Sequence, residues 1–153
     1  MTNSPINLSD LIGRVNDSLC RSIASLSDLI TRDAEARAYI NWKLELLWEL
    51  RDFQTLLLKH FDLEEEGPYN AALIREAPHC APRLDELEDQ HHNLLTALSR
   101  IIADLKQADT IRKAGEAQVC SHIKELLGRV QRHEAAERDL LQDVYFQDYG
   151  TGD

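Results

Sequence analysis

Two stretches of the chain place a histidine four residues ahead of a glutamate: His60-Phe61-Asp62-Leu63-Glu64 and His133-Glu134-Ala135-Ala136-Glu137. On an α-helix that spacing sets imidazole and carboxylate one turn apart on one face, about 6 Å between Cβ atoms, so both can grip one metal centre. A lone pair of this kind is ordinarily a solvated surface feature. Here each pair continues an apolar stripe, His60 following Phe53 and Leu57 and His133 following Leu126 and Val130, which turns both toward an interior. A third histidine, His91 in Gln90-His91-His92-Asn93-Leu94-Leu95, shares a face with Leu84, Leu87, Leu94, Leu95 and Leu98. Its neighbour His92 points about 100° away and is expected to stay solvated. Three imidazoles and two carboxylates in an apolar interior need partners, because an unpaired buried polar group costs about 1–3 kcal/mol. Metal ions supply them. A mixed imidazole and carboxylate set suits non-haem iron best, with manganese and zinc as alternatives.

The elements that must position these groups are legible as apolar residues recurring at three and four. Leu8 to Ile30 carries the first stripe and predicts a helix over about 9–31, with Asn7 or Ser9 able to cap it. Arg32-Asp33 interrupts the pattern before a second stripe of Ile40, Leu44, Leu47, Leu50, Phe53, Leu57, His60 and Leu63, a helix over about 35–65. Gly67-Pro68 stops it, and residues 67–80, which end with Pro78 and His79-Cys80, read as the longest irregular connection with exposed side chains. Helices over about 81–106 and 113–146 follow, joined by the polar turn Gln107-Ala108-Asp109-Thr110. Nothing alternates with period two for long enough to make a strand. The reading is all-α, an up-down-up-down four-helix bundle filling residues 1–153 as one domain. In that topology the second and fourth helices run the same way, and at about 1.5 Å per residue His60, His91 and His133 reach similar depths.

The fragments His60-Phe61-Asp62-Leu63-Glu64-Glu65-Glu66-Gly67-Pro68-Tyr69, Gln90-His91-His92-Asn93-Leu94-Leu95 and His133-Glu134-Ala135-Ala136-Glu137, with the tail Asp148-Tyr149-Gly150-Thr151-Gly152-Asp153, together resemble the hemerythrin-like (HHE) cation-binding domain. The resemblance implies a four-helix bundle around a non-haem, usually di-iron, centre. In that centre His60 and His133 are terminal ligands, Glu64 and Glu137 bridge, and His91 serves from the third helix. It also implies a small ligand such as O₂, NO or peroxide, to be bound, sensed or reduced. The chain departs from the family in two places. No histidine precedes His60, where the family supplies one from the first helix, and Cys20 is the nearest candidate by pattern. Leu87 and Leu95 stand where oxygen carriers of the family place a second histidine near His91, which argues against reversible oxygen carriage. A second reading is therefore a metal-free bundle that keeps the His and Glu residues as a hydrogen-bonded network and serves as a dimerising or partner-binding module. A di-iron oxidase would need a substrate pocket, which the sequence does not reveal.

Composition narrows the rest. The 153 residues carry 17 Lys and Arg against 27 Asp and Glu, a net charge of −10 that repels phosphate backbones and anionic lipid. Nucleic acid and membrane are poor partners; a second copy of the chain in a homodimer is a better one. The three cysteines, Cys20, Cys80 and Cys120, are scattered and odd in number, as expected of reduced thiols in the cytoplasm. No apolar stretch approaches the roughly 20 residues of a membrane span, and Met1-Thr2-Asn3-Ser4-Pro5 does not read as a leader. Phosphate loops, dinucleotide fingerprints and nucleophile triads are absent. His122 lies about 16 Å along its helix from His133, too far to share an ion, and reads as structural. Asp62, Glu65 and Glu66 read as a solvated acidic run, and Trp42 and Trp48 as packing or an assembly surface.

Overall fold

A computed structural model describes residues 8–31, 39–107 and 113–150. Among them the chain is all-α, as the periodicity predicts, with helix α1 at Leu8–Thr31, α2 at Tyr39–Glu66, α3 at Pro68–Glu76, α4 at Ala81–Gln107 and α5 at Lys113–Gly150. The expected interruption at Arg32-Asp33 and most of the turn after Gln107 lie outside the described residues. α1 packs on α2, α2 on α4, α4 on α5, and α5 touches α1 again. Cross-helix bonds show how neighbours are aligned. Lys43 Nζ donates to the Lys106 carbonyl and Gln54 Nε2 to Ser99 Oγ, so α4 descends as α2 rises; Arg83 pairs with Asp143 at 2.8 Å while His133 meets Gln90, so α5 opposes α4.

Each long helix buries residues spaced alternately by three and four, the seam expected where helices pack nearly parallel to one another. On α2 the seam is Leu46, Leu50, Phe53, Leu57, His60 and Glu64; on α4 it is Leu84, Leu87, His91, Leu94 and Leu98; on α5 it is Ile123, Leu126, Val130, His133, Glu137, Leu140 and Val144, with Glu137 less deeply covered than the others. The polar members fall at one level. They separate a large apolar block, which holds Leu26, Phe53, Leu98 and Ile123, from a smaller one of Leu73, Ala77, Cys80, Leu84, Leu87, Leu140 and Val144.

Three expectations are corrected. Residues 67–80 are not irregular: Pro68 stands in the first turn of α3, where a missing N–H costs nothing, and Pro78–Cys80 form a 3₁₀ turn. Cys80 is buried, its thiol 3.8 Å from the Leu73 carbonyl, because α3 folds down and brings Leu73 over the smaller block, whereas His79 is exposed as expected. The apolar stripe of α2 holds as predicted at Leu50, Phe53, Leu57 and His60, but its start is rotated from the one predicted. Trp42 and Leu46 face inward, with Trp42 Nε1 donating to the Leu29 carbonyl, while Ile40, Leu44 and Trp48 form an exposed stripe with Trp48 75% accessible.

Candidate metal centre

The polar layer is built from one or two positions on each of three helices. His60, His91 and His133 are 1%, 4% and 3% exposed, which leaves no solvent to satisfy their nitrogens. The structure brings all five expected residues together. Nε2 of His60 lies 2.8 Å from Glu64 Oε1, Nε2 of His133 lies 2.6 Å from Glu137 Oε1, and Nε2 of His91 lies 3.2 Å from Glu64 Oε2 and 3.3 Å from Glu137 Oε1. Glu137 also reaches His60 at 3.6 Å. One ligand atom each from Glu64, His91, His133 and Glu137 fall within 4.8 Å of one another, and a second such group joins His60, Glu134 and Glu137. Glu137 belongs to both.

Three participants were not foreseen. Glu134 turns inward, its Oε1 2.9 Å from His60 Nε2. Gln90 Oε1 accepts from His133 Nδ1 at 2.7 Å. Glu65, expected among solvated charges, is more than a third exposed yet accepts from His91 Nδ1 at 2.8 Å. These last two contacts fix the tautomers: with Nδ1–H engaged, the lone pair of a neutral ring sits on Nε2 and points at the carboxylates. Phe61 lies flat on the His91 ring, centroids 3.7 Å apart and planes 10° from parallel, and packs edge-on to His133 at 5.5 Å. The one available signal for Glu134 was its place beside His133, and for Glu65 and Gln90 their places beside Glu64 and His91.

Cys20 is exposed on α1 and belongs to neither group. Among the described side chains of α1, Asn16, one turn earlier, does approach the layer and with Glu64, His91, Glu134 and Glu137 lines a cavity. Leu73, Leu84, Leu87, Leu140 and Leu141 make its apolar wall, and it offers about 80 Å³ to water-sized molecules. His92 and His122 are exposed, outside the cluster.

Without a cation the layer must hold itself together by protons. Burial works to keep His60 neutral, but the Glu134, Glu137 and Glu64 carboxylates around Nε2 outweigh it and push its pKa up to about 12. His91 is likewise opposed by burial and pushed up to about 10 by Glu137, Glu64 and Glu65. Burial and the nearby Glu137 raise Glu64, whereas Glu137 is lowered despite its burial, because His133, His60 and His91 all face it. The match is incomplete: Nε2 of His60 and of His133 and Oε1 of Glu134 are buried without hydrogen-bond geometry to any neighbour, close as those neighbours are. Converging carboxylates at contact distance, with His91 Nε2 to Glu137 at 3.3 Å the one inward imidazole contact described with hydrogen-bond geometry while Nε2 of His60 and of His133 lack it, are what a cation site presents. The donor set fits a metal on that observation.

Buried imidazoles and carboxylates converging from three helices of an all-α protein form a site that could hold a cation. A sequence model of the hemerythrin HHE cation-binding domain matches residues 7–145, and the chain belongs to that family. Comparison with curated proteins and with solved structures gives no match.

Proposed function

We propose that the protein is a non-haem iron protein in which His60, Glu64, His91, His133 and Glu137 would hold the metal, with the two ligand groups offering places for two irons. The observation that carries this reading is the convergence of His and Glu ligand atoms into two groups that overlap at Glu137. Bound there, iron supplies a redox-active Lewis acid with room for a small ligand. The chain's own residues do the rest. Gln90 and Glu65 orient His133 and His91, Phe61 holds the His91 ring plane, and the leucines around the cavity keep bulk water from the layer. A water needs about 10–15 Å³ of such space, so about 80 Å³ admits a diatomic molecule or a peroxide with a few waters and excludes a bulky organic substrate. Binding of, or reaction with, O₂, NO or peroxide is the chemistry that fits.

Metal content per chain with the visible spectrum in air tests this. The expected result is about two irons with oxo-bridge charge-transfer bands, and loss of stoichiometric metal in His60→Ala and Glu137→Ala. Full occupancy in either variant would show the ligand set to be wrong. The exposed Ile40, Leu44 and Trp48 stripe favours the alternative, a metal-free dimerising module, and that reading prevails if the protein takes up no metal after anaerobic ferrous loading.

A further inference from the structure

The two overlapping groups are chemically unequal. One sets His91 and His133 against Glu64 and Glu137; the other sets the single imidazole of His60 against Glu134 and Glu137. Nε2 of His60, on a side chain 1% exposed, points into that second group without a hydrogen bond. Oε1 of Glu134 is buried there in the same condition. Across the cavity, α1 contributes Asn16, whose Oδ1 is also buried with no hydrogen-bond partner. Carboxylate and amide oxygens cannot satisfy one another, and each left alone costs about 1–3 kcal/mol. A cation, or water bound to one, satisfies both.

We propose that Asn16 and Glu134 join His60 and Glu137 in an oxygen-rich cation position, distinct from the imidazole-rich one. Oxygen donors select hard ions, so this position binds Fe²⁺ more weakly than its neighbour does and is the one open to Mn²⁺. The inference rests on the iron-binding reading above and specifies how its two positions differ. Cys20, exposed and a turn away, takes no part.

The test is an equilibrium titration of the full metal-free chain with Fe²⁺ under anaerobic conditions and with Mn²⁺, following free Mn²⁺ by electron paramagnetic resonance. Two Fe²⁺ affinities separated by roughly tenfold or more are expected, and a chain preloaded with one equivalent of Fe²⁺ should take up one Mn²⁺. Asn16→Leu and Glu134→Gln should each weaken the second cation about tenfold and leave the first unchanged, with helical content preserved. Asn16→Asp, which adds charge to the same oxygen, should tighten Mn²⁺. Wild-type affinities for both cations in Asn16→Leu and Glu134→Gln would overturn the assignment, as would a wild-type chain that binds one cation only, while leaving the iron-binding reading intact. Weaker Mn²⁺ binding in Asn16→Asp would show that the amide donates to Glu134 instead. A chain that binds neither metal would overturn both readings.

Discussion

At the scale of single residues, the layer exchanges protons for metal. His60 and His91, raised to about 12 and about 10, carry protons at neutral pH when no cation is present, and a metal can take their Nε2 only after those protons leave. Loading the metal-free protein in weakly buffered solution at pH 7 should therefore release about two protons per chain, measurable by pH-stat or indicator dye. The same pairs make the metal-free fold pH-dependent. A raised histidine pKa contributes stability that is complete below the ordinary value near 6.5 and is lost as pH rises through the folded value. The melting temperature of metal-free protein should thus fall between pH 7 and pH 10 as His91 is discharged, with His60 following at higher pH. Glu137 acts in the opposite direction, its contribution vanishing as pH falls below its ordinary 4.5. A melting temperature flat from pH 7 to 10 would contradict the pairing. His60, His91, His133, Glu64 and Glu137 could be read in advance because helical spacing and an apolar stripe report which face a residue occupies. Glu134, Glu65 and Gln90 could not, since each sits just off that face and reaches the layer through the length and bend of its own side chain.

At the scale of elements, the three-four seam decides what each helix tolerates. Leu46 is fully buried on α2 and Trp48, two residues on, is 75% accessible. Leu46→Ala should cost about 2–5 kcal/mol, while Trp48→Gln should change stability by less than about 0.5 kcal/mol, by urea denaturation. The reverse ranking would contradict the observed seam, which differs from the stripe expected from sequence at its start, Ile40, Leu44 and Leu47. That stripe was misplaced because the start of α2 offers two apolar faces, Trp42 with Leu46 and Ile40 with Leu44, and spacing alone favours neither. What settles it is a tertiary contact, the Trp42 indole on the Leu29 carbonyl of α1. α3 was missed for a different reason. Gly67-Pro68 marks the end of one helix, but proline is equally at home in the first turn of the next, and nine residues give too few turns for periodicity to register. The four long helices, by contrast, repeat their pattern often enough to be placed to within a few residues at each described end.

At the scale of the whole molecule, a net charge of −10 draws cations toward the protein and screens away anions, which favours uptake of divalent metal by the acidic layer. No helix among the described residues is long and apolar enough to cross a membrane. The polar layer itself lies across the core, with apolar packing above and below. Apolar contact is what makes distant parts of a domain melt as one, and a charged seam interrupts it. The metal-free chain should consequently behave as two cooperative units, with amides of α3 and the C-terminal part of α5 exchanging with solvent deuterium earlier than those around Phe53 and Leu98. Metal binding should merge the two exchange classes, because one ion bonded to several helices makes opening of the smaller unit contingent on releasing it. Occupancy would then be written into the durability of one end of the molecule, and a protease working on that end could distinguish a charged centre from an empty one without ever touching the metal.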